Sequence, residues 1–147
     1  MTVLRSLFVA IAACAVVTAA WTQPDFAAKA AKEPGAVVTP SGLVFRSLKE
    51  GSGPSPQATD KVRVNYRGTF ANGKEFDSSY ARGQPAEFPL DRVIKCWTEG
   101  VQRIKVGGKA RLTCPPAIAY GERGAGGVIP PGATLQFEVE LLGIVGR

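Results

Sequence analysis

The feature that most constrains this fold is a strict alternation of apolar and polar residues near the C-terminus, over residues 135–141. A period of two predicts a half-buried β-strand, because successive side chains of a strand point to opposite faces. The residues on the apolar face are Leu135, Phe137, Val139 and Leu141. We therefore expect a sheet that buries one face.

A Gly/Pro-rich loop over residues 115–134 precedes this strand and carries Tyr120, Val128 and Ile129. Loops of this length inside a compact domain are uncommon and are often functional. One interpretation makes the loop the wall of an apolar pocket. The other makes it an ordinary surface loop whose apolar residues pack against the domain beneath it. Loop length alone does not distinguish these two interpretations.

The remaining elements are predicted from periodicity and turn residues. Strands are expected at 41–48, 61–70, 85–90 and 109–114, and Asn72-Gly73 is a strong hairpin signal. A helix is expected over 93–105, since its apolar residues recur at helical spacing. They are Trp97, Val101 and Ile104. Several strands with one short helix predict an α+β domain in which an antiparallel sheet packs on that helix.

Composition excludes several function classes. The 147 residues allow one domain, and the net charge of +6 is spread along the chain without clustering among aromatic residues. Binding to nucleic acid is therefore not predicted. Histidine is absent, which excludes Ser-His-Asp and Cys-His catalysis and every histidine-ligated metal site. Gly107-Gly108-Lys109 is followed by Ala110, whereas a phosphate loop needs Ser or Thr there.

The N-terminal residues 1–20 are typical of an export signal, with Arg5 before an apolar run and small residues at its end. We favour cleavage near Ala20. The alternative is lipidation at Cys14, whose preceding residues resemble a bacterial lipoprotein box. Residues 21–36 show no periodicity and are interpreted as a flexible leader, so the folded domain is expected over 37–147.

Two cysteines remain beyond the signal, Cys96 and Cys114. In an exported chain such a pair favours a disulfide. The alternative is two buried thiols that pack as small apolar residues. The residues alone leave both possibilities open.

No nucleophile, metal site or acid–base pair emerges from the residue types, and no cofactor is expected. What emerges is an aromatic-rich apolar cavity with one acid and one or two tyrosine hydroxyls. Each candidate also has a structural interpretation, since Trp97 and Phe137 suit a core and Asp77 suits a turn.

Five motifs in order then show a resemblance to the FKBP-type peptidyl-prolyl cis-trans isomerases. They are V-N-Y-R-G at 64–68, N-G-K-E-F-D-S-S at 72–79, V-I and W-T-E-G at 93–100, A-Y-G at 119–121 and I-P-P-G-A-T-L at 129–135. The segment at 88–94 resembles the bacterial exported branch, which includes proteins of the macrophage infectivity potentiator type. The resemblance implies a twisted antiparallel sheet wrapped around one short helix.

The resemblance also implies an activity, rotation of X-Pro bonds to assist the folding of exported proteins, and hence a periplasmic location. Its partners would be proline-containing polypeptides, with macrolides as inhibitors. A chaperone or protein-binding module that uses the same pocket is the alternative. Many relatives of this branch carry a long N-terminal dimerisation domain, and the leader here is too short for one, so a monomer is expected.

Site residues follow from the resemblance position by position. Trp97 would be the floor of the proline pocket, and Asp77 would sit at its rim, held by Tyr66 and Arg82. The catalytic set would be Asp77, Tyr120, Phe76, Trp97 and Phe137. The substrate-binding set would be Tyr66, Arg82, Val93, Ile94, Val128 and Ile129. Donors to substrate carbonyls would be the Tyr120 hydroxyl and the Ile94 N–H.

Some positions depart from the family pattern. Ala86 replaces the phenylalanine of many eukaryotic members, and Ala125 replaces a histidine, so the preferred peptide is left open. Cys96 stands where the family usually has glycine. In the family fold it would neighbour Cys114, and the resemblance therefore favours the disulfide, provided that the Cα separation suits the bond.

Overall fold

The computed structural model describes residues 24–146. The export signal predicted over residues 1–20, with the lipidation alternative at Cys14, lies outside the described residues.

The described chain is built on one antiparallel sheet of seven strands. The strands are β1 (Ala36–Val38), β2 (Val44–Lys49), β3 (Lys61–Phe70), β4 (Glu75–Ser78), β5 (Ala86–Pro89), β6 (Lys109–Cys114) and β7 (Leu135–Ile144). Their order across the sheet is β1-β2-β6-β7-β3-β4, and β5 pairs with the first half of β3. The predicted antiparallel α+β architecture is confirmed.

Alternating residues of the central strands bury one face of this sheet. Strand β3 alternates between buried and exposed residues along its first half, as its sequence predicts. Strand β7 alternates between buried and half-buried residues up to Leu141. The pattern breaks at Leu142, which has no partner in the register between β3 and β7. The residues that form the buried face include Val62, Val64, Leu112, Phe137 and Val139.

Three short α-helices accompany the sheet: α1 (Pro24–Ala31), α2 (Ser79–Arg82) and α3 (Lys95–Val101). The predicted helix over 93–105 is shortened at both ends. Ile94 has extended backbone angles, and after Val101 the bonds tighten to three-residue turns, such as Ile104 N–H to the Val101 carbonyl. Ile104 nevertheless stays buried, 3% exposed, although it lies beyond the end of the helix.

The interpretation of residues 21–36 as a flexible leader is wrong for the part that the structure describes. Helix α1 occupies 24–31 and packs on the sheet, and β1, which begins at Ala36, is the edge strand of that sheet. Ala30 is buried, and Glu33 makes ion pairs with Arg46 and Arg111. These tertiary contacts stabilise a helix of eight residues that would be marginal alone. Across residues 24–146, every helix is too short or too polar to cross a membrane.

Candidate functional site

A cavity of about 530 Å³ opens between α3 and the buried face of the sheet. This volume lies within the range of roughly 300–1,000 Å³ typical of ligand sites. Its lining is mostly aromatic and aliphatic. The lining residues are Tyr66, Asp77, Phe88, Arg92, Val93, Ile94, Trp97, Tyr120 and Phe137.

Trp97 lies at the centre of an aromatic cluster. Its ring stands edge-on to three others, which come from strands β3, β5 and β7. The partners are Tyr66 at 5.1 Å, Phe88 at 5.5 Å and Phe137 at 5.4 Å between centroids. Edge-to-face geometry is the arrangement that aromatic quadrupoles favour. Trp97 is only 4% exposed, so the indole forms a fixed apolar wall of the cavity.

Gly68 makes room for the aromatic rings beside this cluster. A Cβ atom at this β3 position would lie 2.6 Å from the Phe76 ring and 3.0 Å from the Phe137 ring. No larger residue fits without displacing them, so the glycine permits the edge-to-face contact between Phe76 and Phe137. The glycine of the V-N-Y-R-G motif therefore shapes the wall of the site.

Three polar side chains form a closed network at the edge of the cavity. The Tyr66 hydroxyl donates to Asp77 Oδ2 at 2.5 Å, and Arg82 donates to Asp77 Oδ1 at 2.5 Å and to the Tyr66 hydroxyl oxygen at 2.9 Å. Strands β3 and β4 and helix α2 bring the three together. The predicted arrangement, with Asp77 at the rim beside Tyr66 and Arg82, matches this geometry.

Opposing effects act on the Asp77 carboxyl group. Partial burial disfavours its charged form, but the hydrogen bonds from Tyr66 and Arg82 and the positive charge of Arg82 outweigh burial, and the pKa of Asp77 is lowered. Burial raises the pKa of Tyr66, and its hydrogen bond to the Asp77 carboxylate adds to this effect. At neutral pH the network is therefore an ionised carboxylate held by a neutral phenol and a guanidinium.

The hydrogen-bond donors at the cavity that have no partner within residues 24–146 include the buried Trp97 Nε1–H and two others. One is the Tyr120 hydroxyl, whose side chain is 39% exposed. The other is the Ile94 N–H, at the residue that caps α3. Both are free to donate to a ligand.

A second hollow adjoins the first and shares Asp77 and Tyr120 with it. Here the structure separates residues that the sequence grouped in one pocket. Phe76, Val128 and Ile129 line the second hollow, together with Ala125 and Gly126, and do not line the cavity over Trp97. Val128 is 57% exposed and Ile129 is 7% exposed, so the loop presents both an apolar rim and a buried anchor.

Sequence reasoning missed two lining residues, Phe88 and Arg92. Phe88 lies on β5, and the exposed Glu87 separates it from the half-buried Ala86. This alternation of apolar and polar residues could have indicated that Phe88 faces inward. Arg92 ends a single 3₁₀ turn after β5, and no residue pattern indicates that such a position borders a cavity.

The two cysteines are joined, which confirms the disulfide. Cys96 and Cys114 have Cα atoms 5.8 Å apart, a separation that suits the bond, and both are fully buried. The bond connects α3 to the end of β6.

Fold and cavity together define a sheet-and-helix domain with an aromatic ligand pocket. Residues 53–142 match the model of the family described as FKBP-type peptidyl-prolyl cis-trans isomerase. The chain belongs to this family.

Individual proteins support the same assignment. The chain is 50% identical over 120 residues to the isomerase FkpA of Escherichia coli. The aligned region covers 82% of this chain and 44% of FkpA. It is 48% identical over 112 residues to the isomerase Mip of Coxiella burnetii, covering 76% of this chain and 49% of Mip. The chain thus spans about half the length of these curated relatives. A crystal structure of a peptidyl-prolyl isomerase from Pseudomonas syringae superposes with a TM-score of 0.76 at 40% identity, covering 82% of this chain and 88% of that one.

Proposed function

We propose that this protein catalyses cis–trans isomerisation of X-Pro peptide bonds in polypeptide chains. The observation that carries the proposal is the aromatic cavity over Trp97, with free hydrogen-bond donors beside it and a paired carboxylate at its rim. Membership of the family supports the same reaction.

The chemistry needs no nucleophile. Rotation about a peptide bond faces a barrier of about 18–20 kcal/mol, and uncatalysed prolyl isomerisation takes tens to hundreds of seconds. The barrier arises from amide resonance, which places negative charge on the carbonyl oxygen. Water stabilises that polar planar state, whereas the twisted transition state is less polar. Replacing water by the rings of Trp97, Phe88 and Phe137 therefore favours the twisted bond.

The free donors supply the second contribution, orientation. The Tyr120 hydroxyl and the Ile94 N–H would each bind a substrate carbonyl, which holds the flanking chain while the prolyl bond rotates. Asp77 would act on the carbonyl carbon through its field or would orient Tyr66. Arg82 keeps the carboxylate charged and in place, as the lowered pKa of Asp77 indicates.

The clients would be exported proteins that fold in an oxidising compartment such as the periplasm. Two features support this proposal: the signal-like residues 1–20 and the Cys96–Cys114 disulfide, since structural disulfides persist in oxidising compartments. Mass spectrometry of the protein isolated from its own host tests the processing. A new N-terminus near residue 21 is expected, and a lipidated Cys14 would contradict it.

The activity is tested by measuring the isomerisation of a short X-Pro peptide with the purified oxidised protein, with and without a macrolide of the kind that binds this family. Turnover that the macrolide blocks is expected. A folded, oxidised sample without turnover would contradict the proposal. If that sample still slowed the aggregation of an unfolded protein, the pocket would instead serve a chaperone or binding module, an alternative that the exposed rim residue Val128 favours.

A further inference from the structure

The Cys96–Cys114 disulfide joins the two segments that enclose the cavity. Cys96 is the second residue of α3 and directly precedes Trp97. Cys114 is the last residue of β6, and Pro115 after it begins the loop that carries Tyr120 and Ile129. The bond therefore lies where the floor and the loop wall of the site meet.

Helix α3 has little local support for its position. It contains only seven residues, and its capping residue Ile94 makes no side-chain cap hydrogen bond. Helices of this length are marginal in isolation, so tertiary contacts determine where α3 lies. The polar contacts made by its side chains include Thr98 Oγ1 to the Leu90 carbonyl at 2.5 Å.

The packing of α3 on β6 is close and sensitive to displacement. Gly100 faces Leu112 so closely that a Cβ atom there would lie 2.8 Å from the Leu112 side chain. A helix seated this tightly has few alternative positions as long as Cys96 stays attached to β6. The bond attaches the first turn of α3 to β6, and the contact of Gly100 with Leu112 holds its last turn.

We propose that the disulfide is a positioning device, which aligns the Trp97 floor with the Tyr120 loop so that one proline-containing segment can contact both. The residues concerned, Cys96 and Cys114, act through Trp97 and Tyr120 and do not touch substrate. The inference rests on the proposed function, because it assigns the alignment to the isomerase pocket.

The competing role is stability alone. A disulfide also stabilises a protein by restricting its unfolded chain, and that effect leaves the native pocket unchanged. The two roles therefore differ in one respect: only positioning alters the site in molecules that are fully folded.

The test compares the oxidised protein with the volume-conserving variant Cys96→Ala/Cys114→Val. Both carry Trp21→Phe, so that fluorescence reports Trp97 alone. The readouts are kcat and KM for an X-Pro peptide, the macrolide Kd, and quenching of Trp97 by acrylamide, all at a temperature where circular dichroism shows a folded protein. Leu43→Ala is the matched control, because Leu43 is fully buried yet lines neither hollow.

We expect the double variant to lose at least five-fold in kcat/KM, mainly through a raised KM. The macrolide Kd should rise in parallel and Trp97 should become more accessible to quencher, while Leu43→Ala leaves all three values unchanged. If the double variant does not fold, reduction of the oxidised protein by a phosphine is followed with the same readouts.

Unchanged Kd and unchanged quenching in a folded protein without the bond would overturn the inference and leave the disulfide a stabilising role. The proposed function fails separately, through absence of turnover by the oxidised protein. In that case macrolide binding and Trp97 quenching still decide whether the bond positions the floor.

Discussion

The Tyr66 hydroxyl lies 2.5 Å from Asp77 Oδ2, and Arg82 donates to both residues. This triangle leaves the carboxylate charged at the edge of a cavity whose lining is mostly aromatic and aliphatic. A charge in such a place is costly unless it is paired and hydrogen-bonded. The network meets that requirement, and Asp77 also lines the cavity.

Asp77→Ala should therefore lower kcat/KM for an X-Pro peptide without unfolding the domain. Losing a charge-assisted hydrogen bond corresponds to about ten-fold or more in rate. The measurement is peptide turnover, with near-UV circular dichroism as the test of folding. Asp91→Ala is the matched control, because Asp91 is exposed and lines neither hollow, and it should retain full activity. Loss of the near-UV signal in Asp77→Ala would show a structural role instead.

Tyr120→Phe removes one donor and keeps the aromatic ring. If the hydroxyl binds a substrate carbonyl, kcat/KM should fall by about two- to ten-fold, the value of one neutral hydrogen bond. Thermal stability should stay unchanged, because this hydroxyl has no partner in the described part of the chain. Tyr80→Phe supplies the control, since Tyr80 is an exposed tyrosine that lines neither hollow. Equal activity of the two variants would remove Tyr120 from the proposed donor set.

The lowered pKa of Asp77 fixes the sign of its pH dependence. A carboxyl group whose pKa is lower in the folded state stabilises the protein above its unfolded pKa of about 3.9, and that contribution is lost as the pH falls through the folded pKa. Asp77 should therefore contribute no change in activity or stability between about pH 5 and 8, and a loss below about pH 4. Urea unfolding of Asp77→Asn across this range is the measurement. At acid pH the free energy of unfolding should fall less steeply in the variant than in the unsubstituted protein. An equally steep fall in both would contradict the lowered pKa of Asp77.

Much of this fold follows from the sequence because its strands alternate so regularly. Strands β3 and β6 begin and end where the pattern of their residues predicts. Helix α3 begins later than predicted because Val93 and Ile94 adopt extended backbone and line the cavity. The spacing of apolar residues cannot distinguish a residue inside a helix from one in the extended segment before it that lines a site.

Only those residues of the candidate site that lie in recognisable sequence motifs could be predicted. Trp97, Asp77 and Tyr120 lie in motifs and were identified, whereas Arg92 borders the cavity only because a 3₁₀ turn ends there. The leader was missed for another reason. Glu33, two residues after α1, pairs with two distant arginines, and long-range ion pairs leave no periodic signal in the segment itself.

Glu33→Gln should loosen α1 from the sheet. Glu33 pairs with Arg46 at 2.8 Å and Arg111 at 3.2 Å, and partly exposed pairs of this kind contribute up to about 1 kcal/mol. Faster hydrogen exchange over residues 24–36 is expected, with isomerase activity unchanged because this segment does not line the cavity. Glu87→Gln, which removes a looser pair to Lys61 at 3.6 Å, is the control. Unaltered exchange in Glu33→Gln would show that apolar packing alone holds α1.

The disulfide should also contribute to global stability, whatever its effect on the pocket. It spans 18 residues, and closing a loop of that size in the unfolded chain is worth about 3 kcal/mol. Urea unfolding of the oxidised protein and of Cys96→Ala/Cys114→Val should differ by about this amount. A difference near zero would indicate that the unfolded chain already keeps the two segments together.

NMR exchange spectroscopy measures directly whether the cavity over Trp97 accelerates prolyl isomerisation. Cis–trans exchange of a proline peptide is recorded by NMR with a catalytic amount of the oxidised protein, with and without a macrolide, and again with Trp97→Leu. We expect exchange far faster than the uncatalysed process, which takes about tens to hundreds of seconds. The macrolide should abolish that acceleration, and folded Trp97→Leu should show much less of it. Exchange at the uncatalysed rate in the presence of the folded, oxidised protein would show that the cavity does not catalyse the reaction.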